Sequence, residues 1–141
     1  MKNHHIATSS ALLAIGLAFG AGASAQTTGL SASPNPLGLS ARGGQLTSAW
    51  VTITNHGPGF ASNLAVSIPT GARNGSLTVI GDTCTGATVA QGGTCSVRFQ
   101  YESKCFYKVG LADTYGVAIT SSQFPALIET VNGTNLSYSC D

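Results

Sequence analysis

The chain has 141 residues, of which 8% are charged and 43% hydrophobic, and its formal net charge is +1. This composition excludes a basic face for nucleic acid or anionic lipid, so we expect no nucleic-acid partner. Its many Thr, Ser, Gly and Asn residues, with few charges, favour a folded chain with a polar, uncharged surface over a disordered one.

The N-terminal segment predicts a bacterial secretory signal peptide. It combines Lys2, an apolar run from Ala11 to Phe19 and the small residues Ala23, Ser24 and Ala25. The apolar run is shorter than the roughly 20 residues that a membrane-spanning helix needs, so we expect no transmembrane segment. We therefore predict a cleaved segment at 1–25 and a single secreted or periplasmic domain at 26–141.

The remaining sequence alternates apolar and polar residues in short runs that Gly, Asn and Pro separate. No segment keeps a helical period. This pattern is typical of an all-β sandwich, with strands expected at roughly 28–33, 36–40, 46–55, 62–68, 75–80, 94–102, 113–121, 126–131 and 134–140.

The alternation also predicts which side chains face the core. In the third run Trp50 falls on the polar side, whereas its neighbours in sequence point inward. The expected core comprises Ala49, Val51, Ile53, Leu64, Val66, Ile68, Leu77, Val79, Cys95, Val97, Phe99, Tyr101, Val117 and Ile119.

The Asn132-Gly133 pair predicts a β-hairpin near the C-terminus. Both residues tolerate the positive φ of a type I′ turn, and strand-like runs flank them. A two-residue loop would place Leu127 opposite Tyr138 and leave Glu129 on a mainly apolar face.

Four cysteines follow the predicted cleavage site: Cys84, Cys95, Cys105 and Cys140. An even number in an exported chain predicts two disulfides, and four cysteines allow three pairings. A redox-active or metal-binding pair would need a C-x-x-C spacing or a nearby His, and the sequence has neither around these cysteines. The cysteines are therefore expected to be structural.

Three segments resemble, in order, the bacterial immunoglobulin-like (Ig-like) repeat called choice-of-anchor D, a relative of ASH/hydin domains. They are VTITNHGPGFASNLAVSI at 51–68, DTCTGATVAQGGTCSVRFQY at 82–101 and GVAITSSQFPALIETVNGT at 116–134. The T-N-x-G element at 54–57 and the turn and strand at 89–99 match that family's motifs.

The resemblance implies a seven-strand Ig-like β-sandwich used for display, assembly or binding, without catalytic residues. It also implies a disulfide between Cys84 and Cys95, which leaves Cys105 with Cys140. The sequence departs from the family pattern at 104–108, which adds the third cysteine, and in the tail at 136–141, which adds the fourth.

No constellation of residues indicates an active site, a metal site or a cofactor site. His56 is the only histidine in the predicted mature chain, and its Gly/Pro-rich surroundings predict an exposed turn. The scattered carboxylates, Asp82, Glu102, Asp113 and Glu129, are expected at solvated strand edges. We therefore predict that the protein is not an enzyme, with a small hydrolase acting through His56 as the least favoured reading.

Aromatic residues give the best indication of a binding surface, because exposed aromatics often anchor glycan or protein partners. The candidates are Trp50, Phe106, Tyr107 and Tyr115. The alternative is that Trp50 packs under a loop and the Phe106/Tyr107 pair caps the sandwich. We expect a structural or binding module with a protein or glycan partner in the cell envelope, or else a pilus-like surface subunit that polymerises through a sheet edge.

Overall fold

The computed structural model describes residues 29–70, 74–104 and 110–136. The predicted signal peptide lies outside these residues. In this part of the chain all regular structure is β: β1 (Leu30–Ser33), β2 (Leu37–Ala41), β3 (Leu46–Asn55), β4 (Ala65–Ser67), β5 (Gly75–Asp82), β6 (Thr94–Ser103), β7 (Ala112–Thr120) and β8 (Leu127–Asn135).

The strands form two four-stranded sheets, which confirms the predicted all-β sandwich. The first sheet has the order β1-β3-β6-β5 and is antiparallel, and the second has the order β2-β8-β7-β4 with β2 parallel to β8. The structure describes eight strands rather than the seven that the family resemblance implies, because the first stretch of chain contributes a strand to each sheet. The crossing occurs at 34–36, where Asn35 exchanges two hydrogen bonds with the backbone of β8.

Alternation predicted correctly which face of the two long central strands is buried. In β6 the inward residues Cys95, Val97, Phe99 and Tyr101 are all buried, and the strand pairs with β3 over nearly its whole length. Four of the predicted core residues are only partly buried: Ala49, Val66, Ile68 and Val79.

The cysteines of the Gly-rich turn are joined as the resemblance implies. The Cys84 and Cys95 sulfurs lie 2.01 Å apart, and both residues are buried. Cys105, Phe106, Tyr107 and Cys140 lie outside the described residues, so the second predicted disulfide and two of the candidate aromatics stay predictions.

The predicted C-terminal hairpin is wrong. Nearly all of the predicted strand 126–131 and the start of 134–140 belong to one continuous strand, β8. In this strand Asn132 and Gly133 pair with β7 on one side and β2 on the other. Leu127 therefore lies opposite Ile119 instead of Tyr138. Gly133 is needed for packing of the core, because a Cβ at this position would overlap the buried ring of Tyr101.

Two of the four carboxylates expected in solvent, Asp113 and Glu129, are buried. Asp113 accepts hydrogen bonds from the backbone N–H groups of Asn74 and Gly75, at 3.1 and 2.7 Å, and from the Tyr101 hydroxyl at 3.4 Å. These bonds join β7 to the beginning of β5 and to β6. Burial is also the main cause that raises the Tyr101 pKa, and the neighbouring Asp113 charge adds to it.

Glu129 projects from β8 into the core and is fully buried. Among the described residues neither carboxylate oxygen has a hydrogen-bond partner. Desolvation raises its pKa from 4.5 to about 7, and the nearby backbone N–H of Leu37 offsets part of this effect without forming a hydrogen bond of good geometry.

Asn55 links the two motifs that carried the family resemblance. Its side-chain amide donates to the carbonyls of Gly59 and Val89, both at 2.9 Å, and its side-chain oxygen accepts from the Gly57 N–H. Its backbone exchanges two further bonds with Gly92 and Gly93. The T-N-x-G element and the Gly-rich turn therefore form one hydrogen-bonded unit at this end of the sandwich.

Candidate binding surface

Tyr115 does not contribute to an exposed surface, which corrects the sequence-based expectation. It is 2% exposed, and its ring meets that of Tyr101 edge to face, with centroids 6.4 Å apart. Alternation along β7 points Tyr115 inward, as it does Val117 and Ile119. Tyr115 also lines a cavity of about 400 Å³, together with Ile68, Pro69, Thr70, Gly75, Ser76, Leu77 and Lys104.

Trp50 is exposed, as its place in the alternation predicted. The side chain is 49% exposed and lies on the outer face of the first sheet, on β3. Its backbone pairs with Arg98 of β6, which in turn pairs with Gly81 of β5. The guanidinium carbon of Arg98 lies 5.9 Å from the indole centroid, within the range of a cation–π interaction.

A β-bulge in β5 provides space for the indole. The pairing register shifts between Val79 and Gly81, so that Ile80 is the extra residue and Gly81 lies opposite Arg98. A Cβ added at Gly81 would lie 2.9 Å from the Trp50 Cη2 atom. The indole thus extends from β3 across β6 to the glycine on β5.

The rows of the sheet on both sides of this pair carry hydroxyl and amide side chains, and the half-exposed Ile80 adjoins Gly81 on β5. One row of the sheet places Ser48, Gln100 and Thr78 side by side, and the row on the other side of Trp50 contains Thr52 and Ser96. Arg98 donates a hydrogen bond of 2.9 Å to the Ser48 hydroxyl. We call this set the Trp50 face; it comprises Ser48, Trp50, Thr52, Thr78, Gly81, Ser96, Arg98 and Gln100.

His56 lies in an exposed turn, as predicted. Its Nε2 atom is 2.7 Å from the Ser31 hydroxyl oxygen, and the two residues share a hydrogen bond. No carboxylate contacts the ring in that part of the structure, and no group of three or more His, Cys, Asp or Glu residues there is placed to hold a metal ion.

Sequence reasoning identified Trp50 but missed its partners. Alternation could place Arg98 on the outer face, since Ser96, Arg98 and Gln100 oppose the core residues of β6. The pairing of β3 with β6, and the bulge that brings Gly81 into this row, depend on contacts between distant segments. No local pattern reports such contacts.

No helix in the described residues is both long enough and apolar enough to cross a membrane.

No protein-family profile and no curated protein matches the chain. Solved structures do. The secreted serine protease VesC from Vibrio cholerae is 23% identical with a TM-score of 0.55, and the similarity covers 78% of this chain and 24% of that one. A family 123 glycoside hydrolase from Clostridium perfringens is 10% identical with a TM-score of 0.57, covering 78% and 27%.

PapD-like domain 7 of human CEP192, an ASH domain, matches over nearly its whole length. It is 10% identical with a TM-score of 0.51, covering 95% of this chain and 99% of that one. Identities this low show the fold alone, and the chain spans only about a quarter of the two enzymes. Together with the two-sheet topology, these similarities define an Ig-like β-sandwich of the kind that includes ASH and PapD-like domains.

Proposed function

We propose that this chain is an exported Ig-like module that binds a protein or glycan of the cell envelope and has no catalytic activity. The observation that carries the proposal is the half-exposed Trp50 on the outer face of the first sheet. An exposed indole held by the sheet beneath it is a favourable anchor, because it loses little side-chain entropy on binding.

Two features support the proposed export and the proposed Ig-like type. A buried disulfide is typical of chains that fold in an oxidising compartment, which fits the predicted secreted or periplasmic location. The hydrogen bonds of Asn55 give a physical reason for the T-N-x-G and Gly-rich turn motifs to occur together, which fits the choice-of-anchor D type.

Polymerisation through a sheet edge, the alternative function, has less support. The outermost described strands are β1, β2, β4 and β5, with 4, 5, 3 and 8 residues. Short edges and bulges both hinder pairing between chains, and β5 carries the bulge at Ile80. Sizing of the purified protein under non-reducing conditions tests this alternative: oligomers that form through strand exchange would favour it.

The binding proposal is tested with a glycan array and an envelope extract, using the chain expressed with export. We expect a ligand retained by the wild type to be lost with W50A. The matched control is I128A, because Ile128 is 51% exposed and lies on β8 in the other sheet. Equal retention by both variants, or no retention by the wild type, would contradict the proposal.

A further inference from the structure

We infer that the Trp50 face binds an acidic sugar, with the sugar ring on the indole of Trp50 and its carboxylate on the guanidinium of Arg98. This inference rests on the proposed function and names the ligand class for the same surface. It is carried by the position of Arg98 beside the exposed indole, since Arg98 forms no ion pair with a carboxylate among the described residues.

Arg98 has hydrogen-bonding capacity that the fold does not use. Its side chain is exposed, and within the described part of the chain it donates one hydrogen bond, to Ser48. No carboxylate among the described residues forms an ion pair with it. A guanidinium carries five N–H donors and binds carboxylates through two parallel hydrogen bonds, so an anion of that geometry fits the remaining donors.

The carboxylates nearest in the sheet are engaged elsewhere. Asp82 accepts hydrogen bonds from the backbone N–H groups of Cys84 and Thr85 and from the Thr85 hydroxyl. Partial burial acts to raise the Asp82 pKa, but these bonds outweigh it and lower the pKa below 3.8. Glu102 lies four residues from Arg98 along β6, about 13 Å away, and accepts a hydrogen bond from Ser76.

The rest of the Trp50 face suits a sugar better than a protein. The apolar C–H side of a pyranose ring can pack on an exposed indole. The flanking side chains, Ser48, Gln100 and Thr78, offer donors and acceptors to sugar hydroxyls. A standard protein interface buries about 800 Å² on each partner around an apolar centre, whereas the rows on both sides of this single indole are polar.

The test uses oligogalacturonate as the probe and its methyl ester as the neutral counterpart. Trp50 is the only tryptophan in the chain, so its fluorescence reports directly on this surface. We expect the acidic oligomer to change the emission and to bind at least tenfold more tightly than the ester. We expect R98Q to reduce affinity for the acid at least tenfold and to leave affinity for the ester within twofold.

The matched control is R42Q, since Arg42 is exposed and lies outside the Trp50 face; it should bind both oligomers like the wild type. Thermal unfolding of R98Q and of R98K establishes that each variant is folded, and R98K should bind the acid with intermediate affinity. Equal binding of acid and ester, an R98Q variant that binds the acid normally, or an acid that leaves Trp50 emission unchanged would overturn the inference. A retained ligand that W50A loses and R98Q keeps would refute the acidic-sugar inference while supporting the proposed function.

Discussion

Replacing Glu129 with glutamine should make the protein more stable at neutral pH and remove part of its pH dependence. The carboxyl is fully buried, and its pKa rises from 4.5 to about 7 on folding. Between these values the folded state binds more protons than the unfolded state, so stability falls as pH rises. Below pH 4.5 both states are protonated and the cost disappears, and above pH 7 the cost is constant.

The size of the effect follows from the shift. A rise from 4.5 to about 7 corresponds to at most about 3–4 kcal/mol of lost stability above pH 7, since each pKa unit is worth about 1.4 kcal/mol. That is a large share of the free energy of unfolding of a small domain, which is typically about 5–15 kcal/mol. Glutamine has nearly the same shape and stays neutral, so the cost of ionisation is absent in E129Q.

The assay is urea-induced unfolding of the wild type and E129Q between pH 4 and 8, with the disulfide intact. We expect the stability difference between the two proteins to grow in favour of E129Q as pH rises through this window. The control is E102Q, because Glu102 is exposed. A difference that stays constant with pH would show that folding does not shift the Glu129 pKa, and one that grows in favour of the wild type would show that folding lowers it; either result would refute the reasoning.

Two other substitutions test the packing and the loop network. G133A should lower the free energy of unfolding by about 2–3 kcal/mol, because the added Cβ overlaps the Tyr101 ring. The control G38A should lower it by less than about 0.5 kcal/mol, because a Cβ at Gly38 meets open space. Equal losses of stability in the two variants would contradict this account. N55A should cost about 2–3 kcal/mol because it leaves the buried N–H of Gly57 and two carbonyls without their partner. Urea unfolding measures both, and an N55A variant as stable as the wild type would show that water replaces the lost bonds.

The sequence predicted best those strands whose two faces differ in chemistry. Val97 and Phe99 alternate with Ser96 and Arg98, and this contrast alone fixed which side of β6 is buried. The fold class and the exposure of Trp50 followed from the same contrast. These predictions needed no knowledge of which strand lies next to which.

The predictions that failed depended on long-range contacts. Asn132-Gly133 has the chemistry of a tight turn, but pairing with β2 and β7 holds both residues in an extended strand. The missing side chain of Gly133 leaves room for the Tyr101 ring instead. Asp113 is buried because backbone N–H groups from another strand supply its partners. Strand pairing and hydrogen-bond partners of this kind come from residues that are distant in the sequence, so the local sequence pattern does not predict them.

The bulge at Ile80 makes the pairing register of β5 a determinant of surface chemistry. If β5 paired with β6 without the bulge, Ile80 would take the position opposite Arg98, and its side chain would occupy the place of the indole. The same extra residue sets the register of Asp82, whose carboxylate holds the loop that begins at Cys84. Loss of the bulge with the sequence unchanged would therefore shift both Gly81 and Asp82 by one position, and would change the Trp50 face and the anchoring of the disulfide loop together.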